Sequence, residues 1–326
     1  MIYLITGITG FVGPHLANLL IKEGHEVFGL VRRANGMETD ILDVVPPDVY
    51  SKITFLYGDF TRKDDVDLIF KKYSFDGCFH LGAMSLPPLS FVDPVGTMNT
   101  NVMGSVNIIH SISEWNPMCK LCEVSTSEVY GNTGSDGRLL RVGDRLLPSN
   151  PYGASKAAVD LFMQERMTNG NINGFVTRAF SHTGLRRGKN FSISSDAYQL
   201  ALMANGIKKD RVLCVGNLET TRVVIDVRDV VRAYYMLMIN PGSNGGVFNV
   251  CGDTPHKMGY FTDELIRISG LDVTKKVSPN LYRPIDIAYQ HGDVTELVNL
   301  TGWKPEIPIE QTLTDLYNYW LQKTLT

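Results

Sequence analysis

Three glycines spaced by three, Gly7, Gly10 and Gly13, separate an apolar strand-like run at residues 2–6 from a helix-like run that begins at residue 12. Such a turn lets a strand reverse tightly into a helix. It also lets a ligand approach the backbone, so that the helix N-terminus presents free N–H groups and its positive dipole end to a pyrophosphate. The alternation then repeats. Further β-like runs lie at residues 26–31, 53–57, 77–81 and 121–125, with helix-like segments at 12–22, 66–72 and 102–115. This pattern predicts an α/β fold, a doubly wound parallel (Rossmann) sheet with helices on both faces. As the first βα turn of that sheet, the glycine segment marks a dinucleotide site edged by Gly7, Thr9, Gly10, Phe11, Val12 and Gly13.

A long amphipathic helix, "YGASKAAVDLFMQERM", and a strand, "NGFVTRAF", follow. Beyond Gly184 the elements shorten, and turn-rich segments such as "NPGSNGG" and "CGDTPHK" appear. The expected division is a dinucleotide domain at 1–180 and a smaller C-terminal substrate lobe at 181–326, with the chain crossing back around 218–250. The 326 residues carry a net charge of −3, which gives no basic excess for nucleic acid. No uncharged apolar stretch is long enough for a bilayer and no basic leader precedes residue 2, so the expectation is a soluble, cytoplasmic protein without a membrane partner. Five cysteines, an odd count scattered through apolar segments, read as reduced thiols. Cys119 and Cys122 enter an apolar strand, so buried thiols are favoured over a zinc site and no metal is expected.

The second β-like run ends in Arg32 and Arg33 where an acid would accept from a ribose hydroxyl. Guanidinium forks suit a 2′-phosphate instead, which predicts NADP over NAD. Tyr152 and Lys156 lie one helical turn apart on one face. A lysine ammonium, with the nicotinamide charge, should lower the tyrosine pKa enough for proton exchange with a sugar hydroxyl. Just before them, the fifth β-like run ends in Thr126, Ser127 and Glu128.

The glycine turn, Thr126 and the Tyr152/Lys156 pair together resemble an extended short-chain dehydrogenase/reductase, over nearly the whole chain. Within that superfamily, Thr-Ser-Glu followed by "VYG" is similar to the GDP-mannose 4,6-dehydratase family. Simple oxidation of a hydroxyl has no use for the acid, whereas a dehydratase must also take a proton from C5 and expel the C6 hydroxyl. The resemblance implies a redox-neutral lyase that converts a GDP-hexose, most naturally GDP-mannose, to its 4-keto-6-deoxy form with bound NADP. Thr126, Ser127, Glu128, Tyr152 and Lys156 would be catalytic. On the cofactor side it adds Asp59, Phe60, Leu81, Gly82, Ala83 and His182, leaving His80 as a packed strand residue. On the substrate side it adds Ser85, Ser181, Arg186, Arg187, Lys189, Arg222, Arg283 and Asp286, with "GWKP" at 302–305 structural. It further implies a homodimer or homotetramer, in which "RRANGMETD" reaches a neighbouring subunit.

Two departures fall in the substrate lobe. Ser181 stands where the family has asparagine, and Val223 where it has aspartate. Alternatives are therefore a 4-keto-6-deoxy-sugar reductase or an epimerase, a GDP-heptose as substrate, or an idle Rossmann protein that senses the nucleotide ratio.

Overall fold

The computed structural model describes residues 1–32, 37–282 and 286–325, with the side chains of residues 37 and 38 also left aside. Arg33 and Arg283, both expected at the site, lie outside the described residues. The central sheet is built from β1 (Ile2–Thr6), β2 (Glu26–Val31), β3 (Ile53–Tyr57), β4 (Gly77–His80), β5 (Lys120–Thr126), β6 (Gly174–Ala179) and β7 (Val247–Val250). Its order is β7-β6-β5-β4-β1-β2-β3, and every pairing is parallel. The strand order reverses between β1 and β4, the position at which open α/β sheets bind ligands beyond their strand ends.

Burial on both faces explains why these strands read as near-continuous apolar runs. In β1, Tyr3 and Ile5 point to one face, where Leu16 and Leu20 of helix Val12–Lys22 and Val230 and Tyr234 of helix Val227–Ile239 cover them. Leu4 points to the other, under Ile69 of helix Lys63–Lys72, Ile108 of helix Gly104–Trp115 and Val159 of helix Pro151–Thr168. Two elements differ from the sequence expectation in extent. The helix expected at 66–72 starts at Lys63, because its first turn is polar, carrying Asp64 and Asp65 near the positive helix end. The helix expected from residue 102 is preceded by a helical segment from Pro94, joined to it through a π turn at Asn99–Met103.

Beyond β6 three helices gather a second apolar cluster, a lobe beside the sheet, while residues such as Val230, Leu297 and Trp303 return to the main core. Helices Ser192–Ala204, Met258–Ser269 and Ile309–Lys323 contribute Ala197, Leu200, Phe261, Leu265, Leu313 and Leu316 to it. Polar bonds tie lobe to sheet: the Thr312 hydroxyl donates to Asp226 at 2.8 Å, and Arg228 bridges Asp226 and Asp315. The "GWKP" segment is structural, as expected. Gly302, at φ 71°, ends helix Thr295–Thr301, and buried Trp303 donates its indole N–H to the Asp229 carbonyl at 3.0 Å. Val223, one of the two departures, is a core residue at 2% exposure. Among the described residues no helix is long and apolar enough to cross a membrane.

Candidate active site

One cleft of about 1040 Å³ runs from the glycine turn, past the ends of β4, β5 and β6, into the lobe. The turn itself is built for close approach. Gly7 sits at φ 69°, and a Cβ there would fall 2.8 Å from the Gly82 nitrogen; at Gly13 it would fall 2.5 Å from the Ile8 Cα. Helix Val12–Lys22 then begins with no side-chain cap and no acid in its first turn. Free N–H groups at a helix start beside a turn without side chains fit a pyrophosphate. Leu81, Gly82, Ala83, Phe11, Val12 and His182 line the same wall. His182 stacks on Phe11 with centroids 5.8 Å apart, and its Nδ1 lies 2.8 Å from the Phe180 carbonyl. Burial, reinforced by the Arg187 charge, pulls its pKa down to about 4, so the ring is neutral.

The expected catalytic residues converge at the end of β5. Thr126 closes the strand, and Ser127–Val129 forms a single 3₁₀ turn that brings Glu128 round beside helix Pro151–Thr168. Asn150 fixes that juxtaposition. As the helix N-cap it accepts from the Gly153 N–H at 2.7 Å, and its amide donates to Glu128 Oε2 at 2.8 Å. Tyr152 hydrogen-bonds Thr126 and faces Lys156, Glu128 and Arg187 electrostatically. Burial pushes its pKa up, and the pull of Lys156, Thr126 and Arg187 offsets this only in part. The lowered tyrosine pKa expected from the sequence is thus reversed in the chain itself, because desolvation outweighs the ammonium.

Lys156 has a partner that sequence reasoning did not assign. Its ammonium lies 2.9 Å from Oε1 of Glu123, on the preceding strand, and the side chains are 3% and 0% exposed. Burial works against the ammonium, but Glu123, together with Tyr152 and Asp160, outweighs it and holds the pKa above the usual range. A lone carboxylate inside an otherwise apolar strand was the available signal. Asn101, in the π turn, is a second unassigned residue. It donates to Ser155 at 2.9 Å and accepts from the Met84 N–H at 2.7 Å, pinning the wall after β4 to the Tyr152 helix.

Other expected site residues divide by location. Ser85, Ser181, Arg187, Lys189, Arg222 and Asp286 line the cleft. The Arg187 guanidinium lies against the rings of Phe191 at 3.4 Å and Phe11 at 4.7 Å, and burial brings its pKa down to about 10. Arg222 and Asp286 approach to 3.6 Å. Ser127 is buried, and its hydroxyl donates to Gln290 at 3.2 Å. Thr9, Arg32, Asp59, Phe60 and Arg186 are not part of the cleft wall. Arg32 is exposed, Asp59 accepts from Thr61, and Phe60 packs under Gly82 against His80. Arg186, at φ 69°, turns onto the carbonyls of Thr9, Gly10 and Asp40 and so straps the glycine turn from outside. His80 is a packed strand residue, held between Thr6 at 2.7 Å and Ser105 at 2.9 Å.

Asp196, in the lobe wall, was also missed. It is 5% exposed, and burial lifts its pKa to about 7 against the opposing Thr262 bond and Lys275 charge. An acid whose folded pKa is raised stabilises the fold below its unfolded value of 3.8, and that contribution is lost as pH rises through about 7. Asp196→Asn is therefore expected to melt higher than wild type at pH 8, with the difference shrinking as pH falls towards 4. A pH-independent difference in calorimetry would contradict this.

A sequence model of the family described as GDP-mannose 4,6 dehydratase matches residues 4–316. The chain is 29% identical to the GDP-6-deoxy-D-mannose reductase of Pseudomonas aeruginosa, covering 97% of this chain and 96% of that one. It is 26% identical to a GDP-mannose 4,6-dehydratase of Vibrio cholerae, covering 96% and 92%. Among solved structures, RMD from Pseudomonas aeruginosa complexed with NADPH superposes with a TM-score of 0.82 at 25% identity, over 99% of both chains. A UDP-glucuronic acid 4-epimerase from Bacillus cereus reaches 0.86 at 21% identity over the whole of both, a likeness of fold.

Proposed function

This chain belongs to the GDP-mannose 4,6 dehydratase family, and on that premise we propose that it is a GDP-mannose 4,6-dehydratase that retains NADP. The observation that carries the reading is Glu128, a carboxylate held by Asn150 in the cleft that also holds Tyr152 and Thr126. Bound NADP would supply hydride transfer, out from C4 and back to C6 of the sugar, and the proton taken from the C4 hydroxyl would end on C5, so that only water is lost. The open helix start and the glycine turn would hold its diphosphate, with neutral His182 beside it. Tyr152 takes the C4 hydroxyl proton and Thr126 hydrogen-bonds the carbonyl that forms. That ketone acidifies C5, so Glu128 can remove the C5 proton as the C6 hydroxyl leaves, the two together departing as water. Arg187, Lys189 and Arg222 give the cleft the positive charge a diphosphate needs. Ser127, bonded to Gln290, supports the turn rather than the reaction. A homodimer or homotetramer belongs to the same proposal.

The second reading is a 4-keto-6-deoxy-sugar reductase. It is favoured by the relative at 29% identity. Incubation with GDP-mannose without reduced cofactor separates the two. The dehydratase releases one water per sugar, read by mass spectrometry, with no net change in NADP⁺. An unchanged GDP-mannose, alongside NADPH consumption on a 4-keto-6-deoxy sugar, would replace it with the reductase.

A further inference from the structure

The basic loop after β6 carries two adjacent arginines that face different ways. Arg187 lines the cleft, whereas Arg186 lies behind the glycine turn. Among the described residues Arg186 alone, glycines aside, has a positive φ, 69°, so the backbone accepts strain to aim this one side chain. Its guanidinium donates to the Thr9 carbonyl at 2.8 Å through Nη2, to the Gly10 carbonyl at 3.2 Å through Nε, and to the Asp40 carbonyl through Nη1. The side chain is 14% exposed. Two neighbours fix it in place. His15 of helix Val12–Lys22, kept neutral by burial, donates from Nε2 to the Leu185 carbonyl at 3.0 Å. Asp43, 3.5 Å from the guanidinium, accepts from Tyr319 at 3.1 Å and Lys323 at 2.9 Å, both on helix Ile309–Lys323 of the lobe.

The Gly10 carbonyl needs a donor from outside its helix. Four residues on, where a helix would supply an N–H, stands Pro14, which has none. Arg186 fills that gap. In a planar trans peptide the carbonyl and the following N–H point opposite ways. A guanidinium that draws the Thr9 and Gly10 carbonyls outward therefore turns the Gly10 and Phe11 N–H groups inward. That of Gly10 closes the turn onto the Gly7 carbonyl at 2.9 Å. That of Phe11 is turned toward the cleft, which Phe11 itself lines. The positive charge behind both peptides also polarises them in the sense that strengthens their N–H donors. We infer that Arg186 is a positioning residue for the cofactor: from outside the cleft, it orients the backbone donors that receive the NADP diphosphate. The inference stands on the cofactor site alone and is the same for a dehydratase or a reductase.

Arg186→Gly tests it, because glycine takes the same positive φ without strain while removing the strap. NADPH binding, read by nicotinamide fluorescence, should weaken about 10- to 100-fold, the scale of one hydrogen bond to a charged group. Adenosine 2′-monophosphate shares the adenosine and the 2′-phosphate but has no diphosphate. Its affinity, read by displacement of NADPH, should stay within about threefold of wild type. Guanidinium chloride at about 50 mM, far below denaturing concentrations, should restore NADPH binding to the glycine variant where sodium chloride at equal ionic strength does not. Arg186→Lys keeps the charge but cannot span two carbonyls, and should bind NADPH about tenfold more weakly than wild type. NADPH bound within about twofold of wild type by either variant would overturn the assignment. So would an equal loss for both ligands, which marks general damage to the domain, or no recovery with guanidinium. Should Arg186→Gly fail to fold, the lysine variant decides with the same two ligands.

Discussion

Glu128→Gln is expected to slow water loss from GDP-mannose by about 10²- to 10⁴-fold, the range removed with a positioned general base. The substitution is conservative where structure is concerned. Asn150 donates to Glu128 Oε2, and a glutamine carbonyl can accept that same bond, so the turn Ser127–Val129 and the helix start at Pro151 keep their join. An amide cannot take the C5 proton. On the dehydratase reading the earlier step uses Tyr152, Lys156 and Thr126, and it should survive. In a single turnover the reduced nicotinamide absorbance should therefore rise and persist in the variant, whereas in wild type it should appear only transiently. KM should change little. Water loss within about tenfold of wild type would remove Glu128 from the reaction and return weight to the reductase.

The fold and the gathering of Thr126, Glu128, Tyr152 and Lys156 at the end of β5 were legible because both depend on short-range patterns. Five strands and the glycine turn follow from local runs, and Tyr152 and Lys156 share a face through helical spacing alone. What sequence reasoning lost depends on partners far along the chain. Arg186 sits in a basic loop and reads as a phosphate ligand, yet its acceptors are the carbonyls of Thr9 and Gly10. Ser127 reads as a catalytic hydroxyl until Gln290, from the last third of the chain, takes it. Asp196 lies in a polar-looking helix start, and nothing local says that Met258–Ser269 will bury it. β7, only four residues long, is set by its pairing with β6 rather than by its own pattern.

Glu123 gives the second large effect, because its carboxylate lies 2.9 Å from the ammonium of Lys156, one of the proposed catalytic residues. With both side chains almost fully buried, removing one leaves the other uncompensated, at a cost of about 3–5 kcal/mol. Glu123→Gln should thus lower the melting temperature by roughly 10 °C, taking about 2–4 °C per kcal/mol for a chain of this size. Among the described residues Glu123 Oε2 has no hydrogen-bond partner, so the bond from Lys156 to Oε1 is what compensates the buried carboxylate. Lys156→Met should also destabilise, although less, since an orphaned Glu123 can take up a proton. The Glu123→Gln/Lys156→Met double variant should recover most of the loss, because two neutral side chains leave no buried charge. The linkage has a definite sign. Lys156 has a folded pKa raised above 10.5, so its own contribution is present below that value and is lost as pH rises through the raised one; burial also raises the Glu123 pKa, so the charged pair exists only above that raised carboxylate value. A thermal cycle at pH 7 should then give a coupling of about 2–3 kcal/mol. Single losses that simply add would mean the two charges are solvated independently, and the ammonium beside Tyr152 would owe nothing to Glu123.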